Sequence, residues 1–233
     1  MSDNVEEKEV VVPENSFKDF ATRHGMQIVA VFVLVVVAIA LIVHFVNSRT
    51  DTDSTQAELM GKGLSALYQG KQDVALSEFQ GLLQSNKLSG LALAKVALLT
   101  GNIKFQQGDL DGAAALYQKS LDNAGSAPLI KAGAMHGSAA VAIEKKDYAA
   151  AAKILEQFVS EFGERTGDLE DRYQKKEAVD AVPTVPDALW KLALVYQQLG
   201  SNDKAKAAAQ KILKVYGDNP VYSDRAKKFL ATI

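Results

Sequence analysis

A chain of 233 residues with a formal net charge of −2 and no cysteine has room for one ordinary domain, or for a repeat array with attachments. The missing cysteine removes disulfides, Cys-based zinc sites and a thiol nucleophile together. After residue 25 the charges are interspersed and nearly balanced, so no cluster of Lys and Arg is available to release counterions from phosphates, and nucleic acid is excluded as a partner.

Residues 1–25 are acidic on balance, with Lys8, Lys18 and Arg23 set against six carboxylates. Within them "ENSFKDFATRHG" offers Asn15 or Ser16 as an N-cap and Phe17, Phe20 and Ala21 on one face. This predicts a short juxtamembrane helix ending at Gly25, a frayed linker being the alternative. Residues 26–46 are the expected membrane span. From Ile28 to Val46 the chain reads "IVAVFVLVVVAIALIVHFV", 19 residues without Asp, Glu, Lys or Arg. As a helix this run reaches roughly 28 Å, close to the ~30 Å of a bilayer core. Its β-branched residues favour strand in water, but a lone strand leaves its backbone groups unsatisfied in lipid and a helix does not. The run is longer than the ~7–15 residues of a signal-peptide core and no A-x-A-like site follows, so an uncleaved anchor is expected over a signal peptide or a buried core helix. Lys8, Lys18 and Arg23 before the run against Arg49 and Lys62 after it place the N-terminus in the cytoplasm and the bulk of the chain outside it. His44 is expected to snorkel to the interface rather than relay protons.

After a linker at 47–55, residues 56–233 repeat one pattern. Anchored on its alanine, the pattern falls at Ala75, Ala113 and Ala151, in steps of 38, and returns at Ala205, 54 residues on. The copies read "GLSALYQGKQDVALSEFQGLL", "GNIKFQQGDLDGAAALYQKSL", "AAVAIEKKDYAAAAKILEQFV" and "ALVYQQLGSNDKAKAAAQKIL". Each predicts two amphipathic helices split by a short turn. Such a hairpin exposes apolar surface on both flat sides and is stable only when stacked, which predicts an all-α solenoid of about four hairpins. The alanines let paired helices cross closely, and Phe79, Tyr117, Leu155 and Ala209 fill the equivalent inward position. Gly70, Gly108 and Gly200 are expected to close the turns in left-handed conformation; Lys146 departs from that rule. All five prolines fall outside the expected helices, as their missing N–H requires. The longer step reflects an insertion at about 164–187. Its first half could extend a helix and its "AVDAVPTVPD" an extended loop; a solvated spacer is expected, a functional loop being the alternative.

"TGNIKFQQGDLDGAAALYQKSLDNA", with Gly101, Gly108, Ala113 and Tyr117, resembles a tetratricopeptide repeat, and so does "LWKLALVYQQLGSNDKAKAAAQKIL" through Leu192, Ala193, Tyr196, Gly200 and Ala205. The step of 38 exceeds that family's usual 34, and Lys104 stands where an aromatic is common. "YGDNPVYSDRAKKFLATI" resembles the closing turn and solvating last helix of such proteins, a C-terminal cap. The whole layout is similar to the YfgM-type ancillary subunit of the bacterial Sec translocon. That resemblance implies a single-pass inner-membrane protein with a periplasmic repeat domain, in contact with the translocon and with membrane-anchored periplasmic chaperones.

No constellation for catalysis emerges. His24, His44 and His136 are too scattered for a metal site, "HGSAA" is not G-x-S-x-G, and "GKG" at 61–63 lacks the frame of a phosphate loop. No catalytic residue, metal, cofactor or small-molecule substrate is expected. The tetratricopeptide resemblance implies a partner-binding groove lined by first helices, with Asn102, Gln106, His136, Glu144, Trp190 and Gln197 as candidates. His136 also reads as an ordinary surface or satisfied histidine, and Trp190 as a core plug. The expected function is a membrane-anchored scaffold for protein–protein interaction associated with the Sec translocon and periplasmic folding factors. An envelope scaffold for cell-wall or secretion-system assembly is the alternative.

Overall fold

The computed structural model describes residues 54–163 and 182–233. The expected juxtamembrane helix and membrane span, and residues 164–181 of the insertion, lie outside the described residues. Among the described residues there are nine helices and no strand. They are α1 (54–68), α2 (Gln72–Ser85), α3 (Gly90–Gln106), α4 (Leu110–Asn123), α5 (Pro128–Glu144), α6 (Tyr148–Phe162), α7 (Val185–Gln198), α8 (Asn202–Tyr216) and α9 (Pro220–Leu230). Helices α1 to α8 form four hairpins, each packed on the next, and α9 covers α8. The expected cap therefore occupies the C-terminal end.

One turn closes all four hairpins. The amides of Gly70, Gly108, Lys146 and Gly200 donate to the carbonyl three residues back at 2.8–3.0 Å, and the next amide donates to the carbonyl five residues back at 2.8–2.9 Å. This paired bonding satisfies carbonyls that the helix end would otherwise orphan, and it requires a left-handed residue. The four residues have φ of +73°, +79°, +60° and +69°. Lys146 alone pays for that conformation with a Cβ, a strain of about 1 kcal/mol or more that glycine lacks. Lys146→Gly is expected to raise stability by about 0.5–1 kcal/mol in urea unfolding, and Lys146→Ala to raise it not at all. Asp109 and Asp147 begin the second helices by accepting from the amides of Gly112 at 2.9 Å and Ala150 at 3.0 Å.

The extended loop expected up to residue 187 ends earlier, because α7 begins at Val185 with Pro186 in its first turn. A first-turn proline costs nothing: its missing N–H would have no intrahelical partner, and its φ suits the helix. Pro128 and Pro220 open α5 and α9 in the same way.

Inside the hairpins Ala75, Ala113, Ala151 and Ala205 are fully buried, as are Phe79, Tyr117, Leu155 and Ala209. The facing position on the first helix changes size in the opposite sense. A Cβ at Gly63 would fall 2.3 Å from Phe79 Cε1, and one at Gly101 would fall 2.9 Å from Tyr117 Cε1. Where the inward residue is Leu155 or Ala209, the same repeat position holds Ala139 or Ala193. Across the first three hairpins the summed volume of the pair is nearly constant while its division varies, which keeps them close-packed; the fourth holds two alanines and is smaller.

Candidate functional site: the inner wall of the solenoid

First helices approach one another, α3 touching α5 beside its own α4. The first helices α3 and α5 thus lie side by side, and α5 meets α7 through His136, Asp187 and Lys191. The six sequence-derived candidates all lie on these helices: Asn102 and Gln106 on α3, His136 and Glu144 on α5, Trp190 and Gln197 on α7. They differ in availability. Asn102, Gln106 and Glu144 are exposed, and Gln197 is half-buried. Asn102 Oδ1 accepts from the Tyr117 hydroxyl at 2.9 Å, while Gln106 Oε1 accepts from Gln72 Nε2 at 2.9 Å and so ties α3 to the preceding hairpin. Burial pushes the Tyr117 hydroxyl up to about 12, so it serves as a neutral donor. Trp190 is half-buried, edge-on to Phe229 of the cap with ring centres 5.5 Å apart, and packs against the C-terminal core.

His136 sits in the seam between α5, α6 and α7, its side chain 14% exposed, with its ring 4.8 Å from that of Phe158. Nδ1 lies 3.3 Å from Lys191 Nζ and 3.8 Å from Asp187 Oδ2; Lys191 and Asp187 pair at 3.2 Å. Burial first and Lys191 second lower its pKa to about 4, against the opposing pull of Asp187. At neutral pH the ring is therefore neutral and makes no ion pair with Asp187. Because an ammonium group can only donate, Nδ1 accepts from Lys191 and the ring proton sits on Nε2. Nε2 is buried with no hydrogen-bond partner among the described residues.

Sequence reasoning missed the apolar part of the wall. Leu64 and Leu194 are exposed at the same repeat position as Asn102, and exposed Tyr68 shares the position of Gln106 and Glu144. The steps of 38 and 54 that locate the polar candidates would have located these too. The wall thus carries exposed apolar side chains beside amide and carboxylate groups. Among the described residues no group of three or more His, Asp and Glu side chains could hold a metal ion.

Comparison with protein families matches residues 18–182 to the tetratricopeptide repeat-like domain and residues 187–219 to the tetratricopeptide repeat. The chain belongs to the tetratricopeptide repeat-like family. No curated protein matches it. Among solved structures, a tetratricopeptide repeat protein from Parabacteroides merdae superposes with a TM-score of 0.57 at 18% identity, covering 77% of this chain. The match spans 61% of that protein's length. A MamA RS-1 double mutant gives 0.55 at 17% identity over 76% of this chain and 84% of its own. Pseudomonas aeruginosa PilF gives 0.54 at 17% identity over 78% and 70%. At these identities the likeness is one of fold. Tetratricopeptide domains are scaffolds for protein–protein interaction.

Proposed function

We propose that this tetratricopeptide domain is held at the bacterial inner membrane by the span at 26–46. Its N-terminus lies in the cytoplasm and its repeats in the periplasm, where the inner wall holds segments of client proteins or folding factors beside the Sec translocon. The observation that carries the reading is the mixed inner wall. Leu64, Tyr68 and Leu194 are exposed on it among Asn102, Gln106, Glu144 and Gln197, which suits an amphipathic polypeptide segment better than a small polar ligand. The anchor would add effective concentration rather than contacts.

The two contributions are separable. Deleting residues 1–46 is expected to abolish copurification with translocon subunits. Asn102→Arg combined with Glu144→Lys is expected to leave the protein in the membrane and reduce recovery of clients or folding factors by about fivefold, the loss of an ordinary interface contact. Native crosslinking and mass spectrometry read both. Recovery of cell-wall enzymes or secretion components without a translocon subunit would replace this reading with the envelope scaffold, and groove variants that change no partner would remove the wall as the site.

A further inference from the structure

Two of the three seams between hairpins share a polarity, the first being joined by Gln72 and Gln106 instead. Lys145, at the end of α5, pairs with Asp111 on α4 of the preceding hairpin. In the next seam the Tyr196 hydroxyl on α7 donates to Glu156 on α6, and Lys204 on α8 lies 3.8 Å from the same carboxylate. In both, the following hairpin supplies the cation and the second helix of the preceding hairpin supplies the carboxylate.

The first hairpin has no hairpin before it among the described residues. One repeat step or more back, Lys145 corresponds to Gln69, Tyr196 to Ala66 and Lys204 to Val74. These three line one open concavity of about 400 Å³ on the outer side of α1 and α2, together with Lys62, Ser65 and Lys71. The concavity is thus the surface that, in later copies, receives the preceding hairpin's second helix. Its lining carries two lysines and no carboxylate, and Val74 is half exposed. Ser65 replaces the buried Ile103, Val141 and Val195 of the other copies, so this end can stand in water when empty, as a reversible surface must.

We propose that the outer face of the α1–α2 hairpin is a second docking surface, which receives an acidic amphipathic helix of another protein where a preceding hairpin's second helix would lie. It is independent of the inner wall. Charge complementarity selects this occupant: Lys62 and Lys71 have no ion-pair partner among the described residues, and two of the three seams within the domain join lysine to carboxylate. A second copy docked by its free end would instead present α9, whose exposed Arg225, Lys227 and Lys228 repel the two lysines.

The test uses a synthetic peptide of residues 147–163, the α6 segment that bears Glu156 and plays the partner's part within the fold. Titrated into the full chain in detergent micelles, it is expected to bind at one site. Lys62→Glu combined with Lys71→Glu is expected to weaken binding about tenfold, through two exposed charge pairs turned repulsive, with no change in melting because both lysines are exposed. A peptide carrying Glu156→Lys and Glu161→Lys should prefer the doubly reversed protein. Asn102→Arg with Glu144→Lys should bind the original peptide normally, which separates this surface from the groove. No peptide binding, or binding indifferent to the lysines, overturns the proposal. So does loss of self-association in the reversed variant, which would assign the face to a second copy. Loss of binding to phosphatidylglycerol vesicles with unchanged peptide affinity would assign it to lipid and overturn it equally.

Discussion

Gly137→Ala is expected to destabilise the repeat domain by about 3 kcal/mol, at the upper end of what overpacking usually costs. A Cβ at that position would stand 2.3 Å from Tyr117 Cζ and 2.5 Å from Cε1, well inside any carbon–carbon contact. The ring cannot retreat. Its other side lies against Gly101, where a Cβ would fall 2.9 Å away. The side chain is fully buried, and its hydroxyl is held by Asn102 at 2.9 Å. Tyr117 is thus clamped between glycines on α3 and α5, and the clamp joins the second hairpin to the third. Relief should come from the ring: Tyr117→Leu installs the side chain that the third copy carries at Leu155. The double variant is therefore expected to be less destabilised than the two single changes added together, by 1 kcal/mol or more, since residues in contact couple. Urea midpoints of the four proteins decide it. Additive losses would mean that the backbone shifts to admit the methyl group and that no clamp exists.

That pair also marks the boundary of what the sequence discloses. The 38-residue step put Ala75, Ala113 and Ala151 at the helix crossings and Phe79, Tyr117 and Leu155 inward, because a hairpin repeated in sequence must be repeated in packing. Gly101 stood out as a family marker, whereas Gly137, two residues before the repeated pattern begins at Ala139, did not. Its role depends on how α5 leans on α4, a contact between copies that no single copy encodes. The start of α7 was obscured for a different reason: "VPTVPD" suggests extended chain through its prolines, yet Val185 opens the helix because a first-turn proline is compatible with it. Lys146 shows the reverse, since the turn forms in full with φ +60° despite the absent glycine. Tertiary stacking outweighs about 1 kcal/mol of local strain.

The inner wall was legible in position and incomplete in chemistry. Asn102, Gln106 and Glu144 are exposed where the repeat register puts them, but a search for polar recognition groups passed over Leu64, Tyr68 and Leu194 at the same register. His136 could not be assigned from its own copy. Its partners Asp187 and Lys191 come from α7, across an insertion that breaks the regular step. In the copy before, the position of His136 is Leu98, which packs so closely on the next first helix that a Cβ at Gly133 would meet its Cδ2 at 3.0 Å. The second seam is closed by a hydrocarbon and the third by an imidazole.

That exchange predicts a stability difference that only pH reveals. His136 has its pKa lowered from 6.5 to about 4, by burial first and by Lys191 second, so between those values the unfolded chain binds a proton that the folded chain refuses. The stability it contributes is complete above pH 6.5 and is lost as pH falls through 4, at most about 3 kcal/mol for a shift of this size. Once charged, the ring would face Lys191 at 3.3 Å and Phe158, with Asp187, itself paired to Lys191, as its nearby carboxylate among the described residues. His136→Leu should match the parent within about 1 kcal/mol at pH 7.5, because the neutral imidazole and leucine fill the seam alike and Lys191 retains Asp187. At pH 4.5 the variant should be the more stable of the two, by about 2 kcal/mol. Surface carboxylates titrate in both proteins, so the difference between their urea-unfolding free energies at the two pH values isolates the histidine. Parallel losses on acidification would show that the ring protonates freely in the fold, and that the seam does not close on it.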